Sequence, residues 1–126
     1  MTFEIINPEA FGARPSGWNH GMLGPKGGRM LFVAGQIVPV GDFVTQWDGA
    51  LARVMEVVRA AGGKPEDIGR MVVYLTDRAA YLANLTPLGH VHRKHMGRHY
   101  PAMTVVEVKS LVDSKALVEI EAVAIL

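Results

Sequence analysis

The sequence predicts an α+β fold in the order β-β-β-α-β-α-β-β, a mixed sheet with two helices on one of its faces. Three observations carry that expectation. Residues 43 to 61 repeat apolar side chains at three- and four-residue spacing and then stop at Gly62-Gly63. From Val118 to Ala122 apolar residues alternate with Glu119 and Glu121, as in one half-buried strand. Between them lie short β-prone runs closed by glycine, proline or polar residues.

Taken in order, Phe3 to Ile6 is a short strand stopped by Asn7-Pro8, because proline biases its predecessor away from helix. Residues 8 to 20 are rich in glycine, proline and polar groups and are expected to form a loop. The run from His20 to Ile37 reads as a hairpin folded around Gly24-Pro25-Lys26-Gly27-Gly28. Its second strand, Met30 to Ala34, is almost continuously apolar, which suits a strand covered on both faces. In the first helix Val44, Trp47, Leu51, Val54 or Met55, and Val58 form one stripe. Met71 to Leu75 reads as a buried strand. A second helix is expected from Ala79 to about Met96, weakened or kinked at Pro87. Pro101 to Val108 and Val118 to Ala124 are the closing strands. Two helices cover only one face of such a sheet, so the other face is left to find a partner.

The bulk properties narrow the function classes. A chain of 126 residues fits one domain, and its 49% hydrophobic content leaves apolar area for subunit contacts. Thirteen basic against twelve acidic residues give a net charge of +1, which offers no broad footprint for nucleic acid or anionic membranes. With no cysteine there is neither a disulfide framework nor a thiol nucleophile. No secretory signal and no apolar run of membrane-spanning length is visible, so a cytoplasmic protein is expected.

Several residues invite a chemical reading, each with a plainer one beside it. Glu119 and Glu121 share the face of the last strand opposite Val118, Ile120, Ala122 and Ala124. They read as a partly solvated strand face, or as carboxylates at a pocket that orient water and move protons. Met103, Val105 and Glu107 share one face of the preceding strand, where methionine commonly fills gaps in a core. Gly27-Gly28 has no helix start after it, and Gly12 with Gly17 makes no dinucleotide fingerprint, so no cofactor is expected. Ser16 has no histidine or acid at a spacing that builds a triad. His90, His92, His95 and His99 crowd into ten residues beside Arg93, Lys94 and Arg98. That pattern reads as a solvated helix face rather than a metal site, and no metal is expected. His20, at the loop-to-strand junction, stands where site residues often sit.

Five segments in order resemble the RidA/YjgF family, also described as endoribonuclease L-PSP-like. They are Ile6-Asn7-Pro8, Phe32 to Ile37 with its Gly-Gln, Ala60 to Gly63 followed by Val72 to Asp77, Pro101-Ala102, and Val118 to Ala124. The resemblance spans nearly the whole chain. It implies a chorismate-mutase-like fold assembled as a homotrimer, with small-molecule clefts between subunits and hydrolysis of enamines and imines as the reaction.

Carried over position by position, the resemblance implies an altered cleft. The arginine that grips the substrate carboxylate falls at Met103, and a tyrosine of the N-terminal loop falls at Trp18. A small hydroxyl residue falls at Ala34 and a cysteine at Val105, while Gly35 and Glu119 match. The departures replace guanidinium, hydroxyl and thiol by apolar groups. Glu119, assisted by His20, is therefore the catalytic candidate, and Trp18, Ala34, Gly35, Met103 and Val105 the substrate-binding candidates. Methionine cannot supply the bidentate, charge-assisted pair that arginine makes with a carboxylate. The expected activity is hydrolytic deamination of a non-standard substrate, with 2-aminoacrylate handled weakly. A non-catalytic small-molecule-binding module is the alternative, and RNA cleavage has the least support.

Overall fold

The computed structural model describes residues 3–126. Nine regular elements follow in chain order: β1 (Glu4–Ile6), β2 (Gly21–Leu23), β3 (Met30–Gln36), α1 (Phe43–Ala60), β4 (Ile68–Leu75), α2 (Arg78–Ala83), α3 (Leu85–Met96), β5 (Ala102–Glu107) and β6 (Val118–Ile125). Strands β3 to β6 form one sheet in the order β3-β6-β4-β5, with β4 and β5 parallel and the other pairs antiparallel. A parallel pair needs a long crossover, and α2 with α3 supplies it.

Local chemistry sets the helix ends. The Asp42 carboxylate accepts the Thr45 N–H at 2.9 Å and caps the start of α1. At its far end Gly62 takes φ +87°, donating to the Arg59 carbonyl while Gly63 donates to Val58, both at 2.9 Å. That is the paired C-terminal bonding that ends a helix on a left-handed residue. Its buried stripe, from Phe43 and Trp47 through Leu51, Val54, Met55 and Val58, packs against the sheet. From the sheet side Val118, Ile120, Ala122 and Ala124 of β6 complete the core, as the alternation predicts.

Three expectations are corrected. The first concerns the hairpin: β2 does not pair with β3 but runs antiparallel to β1, with Ile5 opposite Met22. The loop between β2 and β3 instead laps around the end of β6, where a Cβ on Gly24 or Gly28 would collide with the Ile125 side chain. Arg29 and Leu126 then exchange backbone hydrogen bonds at 2.8 and 2.9 Å, which starts the β3–β6 ladder. Those glycines serve a close approach, not a hairpin turn.

Second, the predicted helix over 79–96 is two helices. Asn84 leaves helical geometry and its side chain donates to the Ala80 carbonyl at 2.7 Å. Pro87 falls in the first turn of α3, where its missing N–H has no helical partner to lose, so it starts the helix rather than bending it. Third, β3 is not covered on both faces. Within the chain Phe32 is 71% and Met30 60% exposed, because the helices lie on the opposite side.

Candidate functional site

Register decides where the candidate residues point. Met103 lies opposite Met71, and Met71 opposite Ala122, so Met103 and Val105 look toward the helix side of the sheet. Glu119 lies opposite Tyr74 on the other, open face, with Glu121 two residues further along. The candidates therefore form two groups within one chain.

The first group gathers at the β5 edge. Its loop is stitched down by Asn19, buried among polar partners: Asn7 Nδ2 donates to Asn19 Oδ1 at 2.8 Å, and Asn19 Nδ2 donates to the Tyr100 carbonyl at 2.7 Å. The backbone N–H of Asn19 reaches the Pro101 carbonyl at 3.2 Å, and that of His20 reaches Asn7 Oδ1 at 2.8 Å. This network holds Trp18 over Met103 and Val105, and with Gly17 and Tyr81 they enclose a hollow of about 280 Å³. It belongs to a larger one of about 550 Å³ that runs under α3. His20 stands edge-on between Trp18 and Phe11, with ring centroids 4.5 and 5.0 Å away. Tyr81, stacked on Trp47 at 5.7 Å, is a wall residue that the sequence did not single out. Its helical position after a polar cap carried no signal of that contact.

The second group lies at the β3 edge. Between Val33 and Gln36 the β3 strand advances one residue more than β6, a bulge that displaces Ala34 and Gly35 from regular pairing. A Cβ on Gly35 would run into the Glu119 carboxylate, so only glycine lets that side chain lie across β3. On the same face the Tyr74 hydroxyl donates to Glu121, and this bond holds the phenol proton above its usual range. The structure thus brings Gly35 to Glu119 and Trp18 to Met103 and Val105. It does not bring the two groups, or Glu119 and His20, to one another: β3 and β5 are opposite edges of the sheet.

The histidine run is a correction to the solvated-face reading. Only His90 is exposed. The ring nitrogen Nε2 of His92 bonds the His99 carbonyl at 2.8 Å, that of His99 bonds the Ile68 carbonyl at 2.7 Å, and that of His95 bonds Asp48 at 2.5 Å. These rings tie α3 to its neighbours. Burial, the main influence on His92, pulls its imidazole below the usual histidine range. Hydrogen bonds from Lys94 and His95 likewise lower the Asp48 carboxyl. Among the described residues no group of three histidine, cysteine or acidic side chains is placed to hold a metal ion. No helix there is long and apolar enough to cross a membrane.

A four-stranded mixed sheet with helices on one face, a glycine-backed carboxylate at one edge and an aromatic hollow at the other defines a small α+β fold. The chain matches the endoribonuclease L-PSP family over residues 14–126 and belongs to that family, the RidA/YjgF proteins. A RutC family protein of Pyrococcus horikoshii is 32% identical over 107 residues, covering 79% of this chain and 81% of the relative. The Rid family protein YyfB of Yersinia pestis superposes with a TM-score of 0.83 at 30% identity, over 100% of both chains. Escherichia coli TdcF, solved with bound serine, superposes at 0.66 with 26% identity over 98% of both.

Proposed function

We propose that the protein hydrolyses a small imine or enamine in clefts formed between copies of itself in a homotrimer. The supporting observation is the division of the site. Glu119 with Gly35 stands at the β3 edge, and Trp18, Met103 and Val105 at the β5 edge of the same sheet. One chain cannot close these halves on a single ligand, whereas a neighbouring copy that sets its β3 edge beside this β5 edge can. The bare Phe32 and Met30 supply apolar area for such a contact. The serine held by TdcF supports an amino-acid-sized ligand in this fold.

In the proposed reaction Glu119 takes a proton from water as its oxygen attacks the carbon of the C=N bond. Glu119 returns that proton to the nitrogen, the hydroxyl proton of the resulting carbinolamine passes to the amine as well, and ammonia leaves as the C–N bond breaks and the carbonyl forms. His20, edge-on to the Trp18 ring, is a second acid–base group on that side. Met103 and Val105 give the cleft no fixed charge for a carboxylate, so 2-aminoacrylate is a poor substrate.

Imines generated by an amino-acid oxidase from alanine-sized and aromatic amino acids test the reading. Turnover should favour the aromatic imines and fall by about a hundredfold or more in Glu119→Ala, the usual size of a lost acid–base group. Hydrolysis of 2-aminoacrylate as fast as by arginine-bearing relatives would overturn it, and Met103→Arg should raise that activity. The apolar character of Trp18, Ala34, Met103 and Val105 also supports a second reading, binding without turnover. A ligand retained in native mass spectrometry with no hydrolysis across the panel would favour it. RNA cleavage has little support from a net charge of +1.

A further inference from the structure

The hollow behind Trp18 is larger than a three-carbon imine fills. Its volume of about 550 Å³ falls within the range of sites for much larger ligands. Its walls carry Trp18, Trp47, Tyr81, His92 and Tyr100. Four of these rings are already paired, Trp47 on Tyr81 and His92 on Tyr100 at 4.8 Å and 3°. Paired rings form fixed flat walls rather than mobile ones, and they suit a planar ligand.

Charge narrows the ligand further. None of the residues that line the hollow is acidic, and Arg93 lines it one turn after Gly89. A Cβ added at Gly89 would lie 3.8 Å from Arg93 Nη1, with nothing else within 4 Å outside the helix's own backbone. The guanidinium therefore folds back toward the helix N-terminus across the glycine, the direction in which long helical side chains lean. Among the described residues it has no carboxylate partner, since the neighbouring ion pairs use Lys94 and His95 with Asp48. Burial pulls the His92 imidazole below the usual histidine range and so favours its neutral form. One permanent positive charge faces an aromatic hollow without a counter-charge.

We infer that this hollow binds a planar aromatic or heteroaromatic carboxylate, its ring against Trp18 and Tyr81 and its carboxylate on Arg93. Resting on the proposed cleft reaction, the inference names its substrate class: an imine or enamine bearing an aromatic ring and an acidic group. The cation missing at position 103 of the strand is supplied from α3, further along the hollow. A substrate must be long enough to reach it while its C=N bond stays at the subunit boundary.

Calorimetric titration of the assembled protein with indole-3-acetate and with its neutral counterpart, indole-3-acetamide, tests this. The acid should bind more than about tenfold tighter than the amide, as a charge-assisted contact commands. Arg93→Gln should remove that difference, Arg93→Lys should keep part of it, and added salt should weaken the acid alone. Equal affinity for acid and amide overturns the inference, as does acid binding indifferent to Arg93→Gln or no binding of either probe at millimolar concentration. Acid binding that depends on Arg93, with no imine hydrolysed, overturns the reaction and leaves this site standing.

Discussion

Asn19 carries more of the site than its polar side chain suggests. It is buried at the junction of the N-terminal loop with the start of β5, accepting from Asn7 and donating to the Tyr100 carbonyl. Replacing it with alanine leaves that carbonyl and the Asn7 amide without partners, which costs about 1–3 kcal/mol. Trp18 is fixed by this loop, so Asn19→Ala should lower Tm and also loosen the indole, read as a red-shifted, more quenchable emission when Trp47 is removed as a second emitter by Trp47→Phe. An unchanged quenching profile would mean that the loop is held by something other than this network. The sequence marked His20 and Trp18 here but passed over Asn19, because a single asparagine in a polar loop has no pattern. Its importance comes from a hydrogen bond to Tyr100, 81 residues away. Gly35 and Glu119 were legible only as separate family matches, and their steric dependence on one another needed the bulge in β3.

At the scale of elements, the best-read parts were those whose signal is local. The stripe and double-glycine stop of α1, and the alternation of β6, were legible because cap, periodicity and burial all lie within one segment. Pairing was less legible. Gly24 to Gly28 has hairpin composition, yet β2 turns to β1, since the decisive contact is with Ile125 a hundred residues on. Each strand's alternation was plain, but not the relative phase of two strands, so it did not place Met103 and Glu119 on opposite faces. The histidines His92 and His99, on and just after α3, show the same limit. They looked like a wet face because their acceptors, carbonyls of Ile68 and His99, leave no trace in residue type. Their bonding has a pH consequence. The folded state lowers the His92 pKa, so the unfolded chain binds the extra proton first. His92 therefore contributes stability above its unfolded value near 6.5, and that contribution is lost as pH falls through the folded one. Tm should drop between pH 7.5 and pH 5, and His92→Gln, which keeps a donor for the His99 carbonyl, should drop less over the same interval. Equal slopes in the two proteins would assign the acid sensitivity to other groups.

For the whole molecule, the proposed reaction makes activity a property of the assembly, because its candidate groups lie toward opposite edges of the sheet. The open face with Phe32, Tyr74, Glu119 and Glu121 and the aromatic hollow with Arg93 are then two halves that each chain offers to different neighbours. The proposed trimer makes this contact heterologous, one edge joined to the opposite edge of the next copy, and closed into a ring rather than extended into a filament. Complementation tests this directly. Glu119→Gln damages the β3-edge half, and Trp18→Asp damages the β5-edge half. Each variant alone should form trimers with little turnover. After dissociation, mixing in equal amounts and reassembly, each cleft draws its two halves independently, and half of each draw is intact. Roughly a quarter of the clefts should then be whole, and activity should return to about that fraction of the unaltered protein under closed cyclic symmetry. If both halves served a single chain, every cleft would keep one lesion, and the mixture would stay as inactive as its components.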